Sequence, residues 1–279
     1  GLILIGIGPG GINSMTVAAI DAAKSADLRR YEAYTALWKD SDIVELESEV
    51  GKITKIMRPE IESPEELFAL AAERVVALLI VGDPLQATTH VDLQLRAIEA
   101  GIPCTTIHGI SITGIVTGAI GLSNYRFGRQ TTLTYPYQGW IATSPLEVVA
   151  FNQIQGLHTL VLLDLDPTGE GIGEQSPMQP KDAASVIQQM SIKLNEALSE
   201  MSQSTTLEKL KFESCKNIVR GIDELPAILC TDMGTSEQQI RFLTIGSLTT
   251  APEGRLHCLV IPAEPGEIER LALKRWSKE

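Results

Sequence analysis

Three short clusters in this 279-residue chain have the composition of ligand-handling loops. Gly6-Ile7-Gly8-Pro9-Gly10-Gly11 follows directly on the apolar run Leu2–Ile5. Its spacing matches G-x-G-x-x-G, in which glycines let the main chain turn tightly and approach a ligand with no Cβ in the way. The chemistry this suggests is recognition of a nucleotide or nucleoside cofactor at the carboxyl end of a strand. No helix cap appears before Asn13 or Ser14, which places the following helix poorly for a pyrophosphate and argues against a dinucleotide loop. Gly82-Asp83-Pro84 ends the run Val75–Val81, so that a carboxylate stands at the mouth where α/β sheets bind ligands. Asp-Pro is also a common turn pair, and composition alone favours the turn. His108-Gly109-Ile110-Ser111-Ile112 follows the run Pro103–Ile107; Ser111 reads equally as the N-cap of a helix over Ile112–Ala119.

Other chemistries find little support. The four histidines, His90, His108, His158 and His257, have no i,i+4 pair and no H-E-x-x-H, so the sequence predicts no metal site. There is no G-x-S-x-G elbow and no cysteine in a nucleophile signature. Cys104, Cys215, Cys230 and Cys258 show neither C-x-x-C nor metal spacing and read as reduced structural thiols.

The elements that must position these loops alternate in type. Leu2–Ile5, Val75–Val81, Pro103–Ile107, Thr131–Thr134, His158–Leu163, Ala227–Leu229 and Leu256–Ile261 are short apolar runs that read as buried strands. Ser14–Ala26 is a helix pattern. Ser63-Pro64-Glu65-Glu66 reads as an N-cap with proline at the first helical position, and Thr89-His90-Val91-Asp92 as a capping box. Ala183, Ile187, Met190, Leu194, Ala197 and Met201 form one stripe of a long helix. The alternation predicts an α/β protein of two domains, an N-terminal one over 1–112 with a mainly parallel sheet and a C-terminal one over 113–279 with a mixed sheet, divided near Gly109–Gly118. Residues 164–181 read as an exposed loop, and 201–221 carry no clear assignment.

A formal charge of −12 works against broad contact with nucleic-acid phosphates. No apolar run approaches the roughly 18 residues of a membrane helix, and the first residues do not resemble a signal peptide. The expectation is a cytoplasmic protein that binds neither nucleic acid nor membrane.

The loop Gly6–Gly10 together with Gly82-Asp83-Pro84 resembles the tetrapyrrole methylase superfamily. Within it, Gly82-Asp83-Pro84-Leu85-Gln86-Ala87-Thr88-Thr89-His90 is similar, almost residue for residue, to the diphthine synthases. So are Ile107-His108-Gly109-Ile110-Ser111-Ile112, Tyr125-Arg126-Phe127-Gly128, Gly156-Leu157-His158-Thr159-Leu160 and Tyr31-Glu32-Ala33-Tyr34-Thr35. The resemblance runs from Leu2 to about Pro262. It departs at Pro9-Gly10-Gly11, which is closer to the wider superfamily, and at Leu165-Asp166-Pro167 and Asp232-Met233.

The resemblance implies a two-domain tetrapyrrole-methylase-like fold with S-adenosylmethionine in the interdomain cleft and S-adenosylhomocysteine as product. It implies a homodimer that methylates the amine of a 3-amino-3-carboxypropyl-modified histidine of elongation factor 2. Archaeal members place three methyls on that amine and eukaryotic members add a fourth, on the carboxylate. Carried over residue by residue, the donor contacts are Gly8, Pro9, Asp83, Gln86, Ser111, Ile112, Leu163, Met233 and His257. The nucleophile must be a neutral amine. His108 and His158 are candidate bases, a core or capping role being favoured for each, and no catalytic residue is assigned. Three further readings stay open: a tetrapyrrole or ribosomal-RNA methyltransferase of the same superfamily, an NAD(P)-dependent oxidoreductase with Asp27 or Glu32 on the ribose, and a non-catalytic binding module.

Overall fold

The computed structural model describes residues 1–277. The chain divides into two compact units: Gly1–Ile115 with Glu170–Gln175 and Gly234–Ser236, and Val116–Gly169 with Ser176–Met233 and Glu237–Glu279.

The first unit is built on strands β1 (Leu2–Gly6), β2 (Leu28–Glu32), β3 (Ile53–Ile56), β4 (Val76–Ile80) and β5 (Cys104–Ile107). They form one parallel sheet in the order β3-β2-β4-β1-β5. Its helices are α1 (Val17–Ser25), α2 (Asp40–Val50), α3 (Arg58–Glu62), α4 (Glu65–Glu73) and α5 (His90–Glu99), and α6 (Ile112–Ala119) follows β5. Parallel strands need crossover connections, and these are right-handed. Leaving β1 and β2 the chain steps one way along the sheet; leaving β3 and β4 it steps back. The helices therefore fall on opposite faces. Ala19, Ala23, Leu46 and Val50 of α1 and α2 pack with Ile5, Ala77 and Leu79. Leu67, Ala71, Leu93 and Ala97 of α4 and α5 pack with Leu2, Leu4 and Leu78. The period-2 alternation along β1 supplies both faces, so the strand is apolar throughout.

The second unit has β6 (Thr131–Leu133), β7 (Thr159–Leu163), β8 (Pro226–Thr231), β9 (Gln239–Thr244) and β10 (His257–Ile261), ordered β6-β7-β10-β8-β9. Only β6–β7 is parallel; the other three pairs are antiparallel. Helices α7 (Ser144–Ile154), α8 (Pro180–Ala197), α9 (Thr206–Arg220) and α10 (Glu267–Lys274) complete it. The stripe on α8 buries Ala183, Ile187, Met190 and Leu194 against Leu229 and Leu259.

Several local expectations are corrected. Strands β2, β3 and β9 replace stretches that carry no apolar run; Arg29, Arg30, Thr54, Lys55 and Arg241 break the pattern. Helix α1 is capped neither at Asn13 nor at Ser14 but at Thr16, whose hydroxyl accepts from the Ala19 amide at 3.1 Å. Ser63 closes α3 rather than opening α4, and Thr89 precedes α5 without a side-chain cap bond. Helix α9 fills the unassigned stretch, opened by a Thr205/Glu208 capping box. Within 164–181, Leu165, Asp166 and Met178 are buried rather than exposed.

Candidate active site

Strands β1 and β4 are neighbours whose chain exits run in opposite directions, which makes their carboxyl ends the switch point where an α/β sheet opens a crevice. The predicted loops meet there. Gly8 (φ +75°) and Gly82 (φ +78°) exchange main-chain hydrogen bonds, 3.2 Å from Gly8 N to Gly82 O and 2.9 Å from Gly82 N to Gly8 O. Both need the left-handed backbone that glycine allows at little cost. The space around them differs. A Cβ on Gly8 would lie 2.6 Å from Ser14 Oγ and 2.7 Å from Ser14 O, while one on Gly82 would meet nothing within 4 Å. Gly6 and Gly109 pack backbone against backbone with Gly82: a Cβ on Gly109 would sit 2.2 Å from Gly82 O, and one on Gly6 2.5 Å from Gly109 N. Gly8 is thus required by its neighbours within the loop, and the indole of Trp38 donates to its carbonyl at 3.0 Å.

Asp83 is buried, and both its oxygens are engaged. Oδ1 accepts from the Leu85 amide at 2.9 Å; Oδ2 lies 2.8 Å from His108 Nδ1 and accepts from the Gly109 amide at 3.3 Å. Asp83 therefore ties the loop after β4 to the loop after β5. The same two loops meet a second time: Thr113 Oγ1 donates to Gln86 Oε1 at 2.6 Å and lies 3.0 Å from Ser111 Oγ. Directly after Gln86, Ala87 holds φ +56°, a conformation costly for a residue with a Cβ and usual at ligand clamps. Pro9 is packed tightly; a Cβ on Gly234 would lie 2.5 Å from its ring and 2.8 Å from Ile115. Beside it opens a cavity of about 580 Å³ whose lining includes Gly10, Asn13, Asp42, Glu45, Ile110 and Ser236.

Beneath the loop lies a buried pair. Glu32 receives the Tyr34 and Thr35 amides and the Thr35 hydroxyl, and burial raises its carboxyl pKa against those bonds. His90 Nε2 is 3.8 Å from Glu32. Burial lowers the His90 imidazole to about 4, which keeps it neutral. The ribose role considered for Glu32 and Asp27 finds no carboxylate to use at the crevice: Glu32 is buried and bonded, and Asp27 stands before β2, at the amino ends of the parallel strands, where it accepts the Val75 amide at 2.7 Å. The sheet order is likewise not the 3-2-1-4-5-6 of a dinucleotide fold.

Six of the nine expected donor contacts, Gly8, Pro9, Asp83, Gln86, Ser111 and Ile112, belong to this crevice of the first unit. Leu163, Met233 and His257 belong to the second unit, and all three are buried. His257 Nδ1 is 3.0 Å from Thr231 Oγ1 and Nε2 is 3.2 Å from Gln179 Oε1, so its ring is fully engaged. His158 is a core histidine: Nδ1 accepts the Ala263 amide at 3.0 Å and Nε2 is 3.2 Å from Glu269. Sequence reasoning missed Thr113, Gly6 as a packing position and the Asp83–His108 pair. The last spans 25 residues, and no local pattern signals it.

The model of the Tetrapyrrole (Corrin/Porphyrin) Methylases matches residues 1–249. The chain is similar to the diphthine synthase of Methanocorpusculum labreanum, 34% identical over 278 residues, 99% of this chain and 98% of the relative. It is similar to that of Methanospirillum hungatei at 32% identity, with the same coverage of both chains. A crystal structure of diphthine synthase superposes with a TM-score of 0.79 at 26% identity, covering 99% of this chain and 95% of the other. The chain belongs to the tetrapyrrole methylases and, among them, to the diphthine synthases.

Proposed function

We propose that this methyltransferase takes methyl groups from S-adenosylmethionine and places them on the amine of the 3-amino-3-carboxypropyl-modified histidine of elongation factor 2. The observation that carries the reading is the crevice at the ends of β1, β4 and β5, tied by Asp83 and by Gln86–Thr113–Ser111, in a chain of this family. Its glycine-lined strand ends and neighbouring cavity fit a nucleoside-sized ligand. Gly8, Pro9, Asp83, Gln86, Ser111 and Ile112 are the proposed donor contacts in the first unit, and Leu163, Met233 and His257 in the second. Because the His257 ring is engaged, its contact would be through the main chain. The donor supplies a methyl group already activated on a positively charged sulfur. The chain's own task is to hold a neutral amine in line with that methyl and to exclude water. A cytoplasmic homodimer, twofold and isologous, belongs to the same proposal.

The test is methyl transfer from labelled donor to elongation factor 2 carrying the unmethylated intermediate. Successive methyl-sized mass increments on one histidine peptide are expected. Methylation of ribosomal RNA or a corrinoid precursor, with elongation factor 2 untouched, overturns the reading. Calorimetry of Asp83→Asn adds a finer check. Because both carboxylate oxygens shape the loop, S-adenosylmethionine and S-adenosylhomocysteine should weaken alike. A loss confined to the sulfonium ligand would place Asp83 against the sulfur instead.

A further inference from the structure

Transfer to an amine has a proton problem that the donor does not solve. The acceptor is an ammonium at neutral pH, and each secondary or tertiary product is again an ammonium that must lose its proton before the next round. Three of the four histidines are closed to this work. His90 is fully buried. His158 and His257 have both ring nitrogens committed to protein partners.

His108 differs from them in its exposure and in its uncommitted nitrogen. Its side chain is 71% exposed, while the carboxylate beside it, Asp83, is 3% exposed. Asp83 Oδ2 lies 2.8 Å from Nδ1. An ionised carboxylate only accepts, so Nδ1 carries the hydrogen and the lone pair of the neutral ring sits on Nε2. That is the arrangement of an oriented general base: a buried carboxylate fixes the tautomer, and the far nitrogen is open. It stands at the end of β5, on the crevice already described.

Resting on the function proposed above, we propose that His108 is the proton acceptor of the methyl transfer and that Asp83 is its positioning residue. The acceptor's N–H bond breaks with its electron pair left on nitrogen, and the proton bonds to His108 Nε2. The freed pair forms the new nitrogen–carbon bond as the methyl–sulfur bond breaks with its pair left on sulfur. The imidazolium then returns its proton to water. The competing acceptors in the same unit are Asp42 and Glu45 on the cavity wall; Asp42 Oδ2 lies 4.0 Å from the Cβ position of Gly11.

The experiment uses the full chain, with elongation factor 2 carrying the unmethylated side chain. His108→Ala should keep the melting temperature, because the side chain is exposed, and should bind the donor within about twofold of wild type by calorimetry. Its kcat should fall by roughly 10²–10³-fold, and imidazole in the buffer should restore part of the rate. Asp42 and Glu45 line the proposed ligand cavity, so the discriminating readout for Asp42→Asn and Glu45→Gln is rescue rather than rate: neither should gain rate from added imidazole, and rescue of either one would overturn the proposal. Nitrogen-15 spectra of the protein alone should show His108 as the Nδ1–H tautomer, a preference lost in Asp83→Asn. A fully active His108→Ala overturns the proposal. So does an inactive one that binds donor tenfold more weakly and is not rescued, because it makes His108 a donor contact. An Nε2–H tautomer in wild type also overturns it, whatever the substrate. A wild-type protein that methylates no elongation factor 2 overturns the function and this proposal together, whereas an active wild type with an active His108→Ala overturns this proposal alone.

Discussion

His108 beside Asp83 and His158 beside Glu269 are the same chemical pair at similar separations, 2.8 and 3.2 Å, in opposite settings. In the first unit the carboxylate is buried and the imidazole exposed. In the second both are buried, and the carboxylate also receives the Ser123 and Gly266 amides and the Arg126 guanidinium. Burial alone would raise the Glu269 carboxyl pKa; the two amides and His158 outweigh it and bring it to about 2. His158 is lowered by burial, against the pull of Glu269. The pair in the second unit is saturated with partners and leaves no atom for a ligand. It fastens α10 to the start of β7 and to the Ser123 loop. The pair in the first unit leaves one nitrogen unspent. Exposure and spare valence, rather than the presence of a histidine–carboxylate contact, separate a reactive pair from a structural one.

The largest test of this contrast is removal of Glu269. Glu269→Ala leaves Arg126, two amides and His158 without their acceptor, and should cost about 3–5 kcal/mol in urea unfolding. A loss below about 1 kcal/mol would put the two pairs on equal footing. Acid provides the next test. A carboxyl held near 2 rather than at its ordinary 4.5 contributes stability that is present above pH 4.5 and disappears as the pH falls through about 2, on the order of 3 kcal/mol in all. His90 and His158, both lowered, act in the same direction: from pH 6.5 downward the unfolded chain takes up protons that the folded chain refuses. Stability should therefore decline from about pH 6.5 and fall further below 4.5, and Glu269→Gln should flatten the lower part of that curve.

The glycine junction sharpens the comparison from the side of the first unit. Gly109→Ala drives a Cβ into Gly82 O and should cost roughly 2–3 kcal/mol through a forced backbone shift. Gly82→Ala meets no atom and carries only the left-handed backbone penalty, about 1–2 kcal/mol. Equal losses in thermal melts would contradict the packing described. The smallest effect expected is that of Trp38→Phe, which removes one buried hydrogen bond to Gly8 O and should cost about 1 kcal/mol.

The sequence made the central strands legible because β1, β4, β8 and β10 are buried on both sides and therefore read as unbroken apolar runs. It concealed β2, β3 and β9, which are only partly buried and interrupted by Arg29, Arg30, Lys55 and Arg241; Arg29 spends its guanidinium on the carbonyls of Ala23, Lys24 and Ala26. Helix α9 was readable in principle, since Thr205-x-x-Glu208 is a capping box; the polar mixture after it hid the apolar stripe of Cys215 and Ile218. The chemistry-bearing loops were identified from their glycines and strand-end positions. What joins them was not, because Asp83–His108 and His158–Glu269 are contacts across 25 and 111 residues, and only the fold brings their members together.

The Gly6–Gly82–Gly109 junction has a consequence for the order in which the molecule becomes competent. Its three glycines lie next to strands that begin at residues 2, 76 and 104, and the junction exists only when all three strands are in register. A nascent chain that has not yet delivered Cys104–Ile107 from the ribosome has no crevice to offer, however well its first helices have formed. Any ligand that settles at this junction therefore depends on the last strand of the sheet having docked.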